Sequence, residues 1–279
     1  MTRARAPQAV SDSEWEAQLR KRREQREQWD KLASAMPDLL PASSTTYYRR
    51  CEIALIQRFF GSLQGKRVLK LDLWNEAVNT RILNWMKSEG ARAYGIDISF
   101  VTTSRALANS QLNGGPLHLS QADIRNLPFE DNSFDLVYTM GTIEHIDEYQ
   151  DALREVHRTL KPGGKAIVGV PHKWNIFLRP VMVSVLDLFD KSPYSPEKSF
   201  SSKELREAVE RAGLKVCRRA GILTVPGIIR MADLFLFRRN ISAHKLTPLF
   251  LWPFDFLETH WEWPGFFGYL IALVVEKES

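Results

Sequence analysis

The sequence predicts an α/β fold: a doubly wound, mainly parallel sheet with helices on both faces. Three observations predict it. From Arg67 to Val170 short apolar runs alternate with segments of helical period. The runs around Val68–Leu73 and Phe134–Tyr138 are short and largely apolar, as strands covered on both faces are. The stretch Arg67–Ser99 reads strand, turn, helix, strand, acid, and its acid, Asp97, stands about 20 residues past the turn, where a nucleotide-binding βαβ unit carries a ribose-binding carboxylate.

With 279 residues, 44% of them hydrophobic, the chain is long enough for one large domain with extensions or for two small ones. Two cysteines, Cys51 and Cys217, form neither a disulfide framework nor a metal-ligand spacing, which predicts a reducing, cytoplasmic setting. No apolar leader follows Met1, and the apolar runs Phe177–Phe189 and Phe266–Val275 are too short to span a bilayer. A formal charge of +5 favours anionic partners but is too dispersed to argue for nucleic acid.

In chain order, residues 1–44 read as a charged helical extension, with a helix over Ser11–Ser34 that carries the basic cluster Arg20–Arg23. A second helix is expected over Thr46–Phe60. After the first strand, Asn75 is the expected N-cap of a helix with Val78, Ile82, Trp85 and Met86 on one face, ended by Gly90. Strand Ala93–Asp97 follows, then a helix capped by Ser99, a short strand at Leu117–Leu119 and a buried strand at Phe134–Tyr138. An amphipathic helix over Asp147–Leu160 is broken by Lys161-Pro-Gly-Gly ahead of strand Lys165–Val170. Residues 172–200 read as an apolar helix and loop inserted in the core. Ser201 and Ser202 cap a further helix, Leu214–Cys217 begins a sixth strand, and Gly268–Val275 is the seventh. The core is thus expected over 45–222 and 267–279, with 223–266 an aromatic-rich insertion carrying Phe235, Phe237, Phe250, Trp252, Phe254, Phe256, Trp261 and Trp263.

The runs Ala122-Asp-Ile-Arg-Asn-Leu-Pro-Phe-Glu-Asp-Asn-Ser-Phe-Asp-Leu-Val-Tyr, Thr142-Ile-Glu-His-Ile and Leu153-Arg-Glu-Val-His-Arg-Thr-Leu-Lys-Pro-Gly-Gly occur in this order and spacing. Together they resemble the class I S-adenosylmethionine-dependent methyltransferases, closest to the ubiquinone and menaquinone branch, over about Tyr48 to Gly213. The resemblance implies a Rossmann-like seven-stranded sheet with one antiparallel edge strand, and S-adenosylmethionine as cofactor. It implies that Asp97 binds the ribose hydroxyls with Ile98 on the adenine face. Asp123 would accept from the adenine amine beside Ile124, and Thr139, Met140 and Gly141 would border the methionine end.

The chain departs from the family in its first loop, where acid-x-Gly-x-Gly-x-Gly is expected. Lys70 replaces the acid, and Asp72, Trp74 and Glu76 replace the glycines. One outcome is that side chains replace backbone, Asp72 or Glu76 taking the ammonium of the zwitterionic methionine end and Lys70 or the helix start at Asn75 its carboxylate. The other is that Trp74 closes the pocket and the domain is silent. The mixed charges favour the first. His145 is the first candidate for a general base, with Glu144 and His172 nearby in sequence. Those three are also the set that could hold a divalent ion, but no metal is expected. The expected acceptor is a small apolar or ring-bearing molecule, bound by regions outside the shared fold, with O-methylation favoured. The 223–266 insertion would cap it, and the 177–189 and 249–267 segments would give a peripheral membrane contact. The rivals are a silent scaffold on the same fold and an RNA methyltransferase using the basic helix.

Overall fold

Side-chain alternation decides how the sheet is covered. In strand β1 (Arg67–Lys70) Val68 packs into one core and Leu69 into the other; in β4 (Phe134–Met140) Leu136 and Tyr138 face the first core and Val137 the second. With both faces buried, the strands read as continuous apolar runs. The computed structural model describes residues 12–112, 117–174, 197–261 and 267–278. Its seven strands, adding β2 (Arg92–Asp97), β3 (His118–Gln121), β5 (Leu160–Pro171), β6 (Lys215–Ile222) and β7 (Leu270–Glu276), lie in the order β3-β2-β1-β4-β5-β7-β6. The expected antiparallel strand is β7, which runs antiparallel to both β5 and β6 and lies between them. β1 pairs in parallel with β2 on one side and β4 on the other. The chain therefore switches direction at β1, and the crevice at the carboxyl ends of β1 and β4 is where such sheets bind ligands.

Helix α1 (Asp12–Ala35) crosses this end of the sheet, and α2 (Ser43–Phe60) buries Tyr47, Cys51, Leu55 and Ile56 in the first core. The single helix expected from Asn75 to Gly90 is instead two short ones, α3 (Trp74–Val78) and α4 (Ile82–Ser88). Asn75 is not a cap; it is buried in α3 and accepts at Oδ1 from Asn79. The break has a local cause. The Glu76 carboxylate accepts from the Leu83 amide at 2.9 Å and so starts α4 afresh, while Arg81 adopts φ 53°. Arg49 donates to the carbonyls of Thr80 and Arg81 at the break.

Helix α5 (Phe100–Leu112) is capped as expected, Ser99 Oγ accepting from the Thr102 amide at 3.0 Å. α6 (Tyr149–Thr159) and α7 (Ser202–Arg211) cover the second core, the latter started by a capping box between Ser201 and Glu204. The insertion forms α8 (Gly227–Arg238), a short 3-10 turn, and α9 (Thr247–His260). Both helices are tied to α2: Asp233 accepts from the Ser44 amide at 2.7 Å and Glu258 from the Tyr47 hydroxyl at 2.6 Å. The expected apolar helix of 172–200 lies almost wholly outside the described residues, as does the 177–189 membrane segment. Among the described residues no helix is long and apolar enough to cross a membrane, and Cys51 and Cys217 are free thiols.

Candidate functional site

A cavity of about 340 Å³ opens at the carboxyl ends of β1, β2 and β4, where the strand order switches. One half is lined by Asp72, Asp97, Ile98, Asp123, Ile124, Met140 and Gly141, the other by Tyr48, Trp74, Leu223, Val225, Arg230, Met231 and Tyr269. Asn75 and His145 also reach it. Gly141 sits at φ 79°, a conformation that suits glycine, so backbone itself lines the wall here.

The three aspartates at the cavity differ in how they are held. Asp97 accepts from the backbone amides of Leu73 at 2.9 Å and Ser99 at 2.8 Å, and among the described residues it has no ion-pair partner. Desolvation, against those two amides, pushes its carboxyl up to about 7. Asp123 is gripped by Arg125, whose Nε donates to Oδ1 at 2.8 Å and whose Nη2 donates to Oδ2 at 2.7 Å. Although desolvation opposes it, this pairing holds the carboxyl below its usual range. Asp72 accepts from Lys70 Nζ at 2.8 Å and from Thr142 Oγ1 at 3.0 Å.

Several sequence expectations shift against this geometry. Lys70 is fully buried and directs its ammonium to the carbonyl and carboxylate of Asp72, so it does not line the cavity. Glu76 is equally buried and turned to the start of α4, and it does not line the cavity. Thr139 and Glu144 lie beneath the surface of the cavity and do not line it, and His172 at the end of β5 is outside it, its amide bonded to the Tyr269 carbonyl. His145 does line the cavity: its ring meets Trp29 edge-on at 5.1 Å, and its Nε2 lies 3.9 Å from a Glu144 carboxylate oxygen and 4.0 Å from one of Glu197. Among the described residues no three potential ligands group around a metal position.

Sequence reasoning put no separate weight on the residues that close the site. Gln25 and Trp29, one helical turn apart on α1, reach the cavity. Gln25 donates to the His145 carbonyl at 2.9 Å and accepts from Arg125 at 3.2 Å, Trp29 meets Trp74 edge-on at 5.8 Å, and Asp30 accepts from Ser99 Oγ at 2.6 Å. The basic cluster of α1 is turned to the chain itself, Lys21 pairing with Asp147, Arg22 lying 3.8 Å from Asp123 and Arg23 pairing with Glu27. An i, i+4 pair of polar and aromatic residues on a charged helix was the one signal available.

A family model described as a methyltransferase domain matches residues 77–168, beginning just past the altered loop. Over that third of its length the chain is similar to methyltransferase domains. It is similar to an O-methyltransferase, resE, of Aspergillus sclerotiorum, 28% identical over 45% of this chain and 49% of that one. It is also similar to a demethylmenaquinone methyltransferase of Bacillus mycoides, 30% identical over 46% of this chain and 61% of that one. The match spans less than two thirds of either relative. The fold is that of magnesium protoporphyrin IX methyltransferase from Synechocystis, with TM-score 0.58, 13% identity, and 94% of this chain and 100% of that one covered.

The cavity residues fit S-adenosylmethionine. Asp97 is a carboxylate at the cavity with no ion-pair partner among the described residues, and its oxygens keep lone pairs beyond the two amides. Two hydroxyl donors would complete it. Ile98 and Ile124 supply the apolar walls a flat ring needs.

Proposed function

We propose that this chain is a cytoplasmic methyltransferase that uses S-adenosylmethionine to methylate a small apolar or ring-bearing acceptor, with oxygen as the favoured accepting atom. The observation that carries it is the state of Asp97, desolvated at the end of β2 and without an ion-pair partner among the described residues, in a cavity whose other half is largely apolar. Bound there, the cofactor would supply an electrophilic methyl group on a sulfonium. Asp97 would hold the ribose hydroxyls, Ile98 and Ile124 the adenine faces, and Asp123 the exocyclic amine in exchange for one of the four bonds it accepts from Arg125. Asp72 would take the ammonium, and Met140 and Gly141 would border the methionine end.

Transfer from a sulfonium needs alignment more than activation, and the chain's residues provide it. Leu223, Val225, Met231 and Tyr269 form an apolar wall for the acceptor, with α8 of the 223–266 insertion acting as its cap. His145 would remove the proton of an accepting hydroxyl, its ring oriented by Trp29. Helix α1, part of the 1–44 extension, closes the site against water. The likeness to an O-methyltransferase and to a quinone-precursor methyltransferase supports this acceptor class.

The alternative is a silent scaffold, favoured by the internal pairing of Asp72 and Asp123. Calorimetric titration of the full chain with S-adenosylmethionine and S-adenosylhomocysteine separates the two. The expected result is saturable binding of both, followed by methyl transfer to a hydroxylated quinone or phenol detected by mass spectrometry. No heat and no thermal shift at saturating ligand would leave the scaffold.

A further inference from the structure

The insertion reaches the cavity through α8, but its large aromatics lie elsewhere. Of the large aromatics of the insertion, Phe235, Phe250, Trp252, Phe256 and Trp261 are exposed and none lines the cavity; Trp263 lies outside the described residues. Exposure is extensive: Leu249 is 72% exposed, Trp252 68% and Phe250 62%. On α9, Leu249, Trp252 and Phe256 recur at helical spacing, so their side chains share a face, and the rings of Trp252 and Phe256 stack at 6.2 Å. Ile228 and Phe235 on α8 and Leu246 in the 3-10 turn are exposed as well. An apolar surface of this extent on a water-facing helix pair needs a partner.

Charge says which partner. Over the described residues 227–261 the acids are Asp233, Asp255 and Glu258, and each is used internally. Asp233 is buried on the Ser44 amide, Asp255 is paired with Arg50 at 2.9 Å, and Glu258 is buried on Tyr47 and the Leu223 amide. The bases point the other way: Arg238, Arg239 and Lys245 lie on this helix pair and its turn, Arg239 and Lys245 exposed, with Arg239 over the Phe235 ring at 4.8 Å. The face therefore presents Trp, Phe and Leu with positive charge and no exposed, unpaired acid among the described residues. Tryptophan with arginine and lysine is the composition that settles at the headgroup boundary of an anionic bilayer. No described helix can cross a membrane, so the contact is a surface one.

We propose that the face formed by α8, the 3-10 turn and α9 docks on anionic lipid bilayers. Helix α8 belongs to both the face and the cavity: Ile228 and Phe235 are exposed, while Arg230 and Leu234 line the cavity and Met231 does both. An apolar acceptor dissolved in the bilayer would reach the cavity along this helix; that consequence rests on the acceptor reading above, whereas the docking does not.

The test is co-sedimentation of the full chain with vesicles of phosphatidylcholine mixed with phosphatidylglycerol, against phosphatidylcholine alone. The expected result is pelleting with the mixed vesicles, weaker without the anionic lipid. Each of Arg238→Gln, Arg239→Gln and Lys245→Gln should lower partitioning by about fivefold. The triple variant Leu249→Ser, Phe250→Ser, Trp252→Ser should lose it, while its melting temperature and S-adenosylhomocysteine affinity stay as in the parent. Absence of pelleting by the parent, or equal pelleting by the triple variant, overturns the proposal. So does a dimer in sedimentation velocity that the triple variant abolishes, which would give the face to a second copy. Ligand titration on the same preparation keeps failure of docking distinct from failure of the methyltransferase reading.

Discussion

Asp72 and Asp97 end adjacent parallel strands, face the same cavity, and are treated oppositely by the chain. Asp72 is met by the buried Lys70 ammonium and the Thr142 hydroxyl, whereas Asp97 receives backbone amides alone. A carboxylate neutralised at short range is stable without a ligand. One that is desolvated and, among the described residues, has no ion-pair partner is raised instead, here to about 7, and its folded environment is incomplete until donors arrive. The difference separates an acid built into the scaffold of the loop from one reserved for a ligand.

Removing the cation should have the largest effect. Lys70→Met deletes a fully buried ammonium and leaves Asp72 facing Thr142 only, while the buried Glu52 loses a charge that stabilises its ionised form. Breaking a buried pair on one side costs about 3–5 kcal/mol, so a large drop in stability is expected in urea unfolding. A fall of under about 1 kcal/mol would mean that Asp72 and Asp97 are held alike.

Asp97 should yield a smaller effect, on affinity. Asp97→Asn keeps the volume and one acceptor oxygen but cannot receive two hydroxyl hydrogens as a carboxylate does, and should weaken S-adenosylhomocysteine by about 2–3 kcal/mol. The parent should also bind more tightly as pH rises through about 7, since the ionised form is the better acceptor. The sign for folding is opposite. A carboxyl raised on folding holds its proton longer in the native state, so stability from this group falls as pH rises from about 4 to about 7. Affinity independent of pH across that range, or an Asp97→Asn variant that binds like the parent, would remove Asp97 from the ligand.

The parts of this site that were legible in the sequence are those fixed by strand order and period. Asp97, Asp123 and Gly141 follow strand ends, and a parallel sheet brings successive strand ends to one edge, so their meeting required only the alternation of elements. What a side chain does after reaching that edge depends on partners far away in the chain. Arg125 turns back on Asp123, Glu76 finds the Leu83 amide because the helix breaks at Arg81, and Gln25 and Trp29 arrive on an extension with its own weak apolar pattern. The break itself ran against a good apolar repeat, because a buried carboxylate that can start a new helix outweighs continuity of the old one. The aromatics of 223–266 misled for a related reason: composition says that apolar surface exists, not which way a helix turns it.

The finest test lies within the loop, between the two acids that stand in place of glycines. Asp72 lines the cavity with lone pairs left over after Lys70 and Thr142, and Glu76 has its oxygens on the Leu83 amide and Asn84 Nδ2. If Asp72 receives the ammonium of the methionine end, Asp72→Asn should weaken S-adenosylhomocysteine by about 1 kcal/mol, measured well below the melting temperature because Lys70 loses its partner too. Glu76→Gln keeps an acceptor oxygen for Leu83 and should change affinity by less than about 0.5 kcal/mol. Calorimetry on the pair sharpens the contrast drawn above, since a loss at Glu76 with none at Asp72 would mean that the loop rearranges to bind and that the acid now capping α4 is the one the ligand uses.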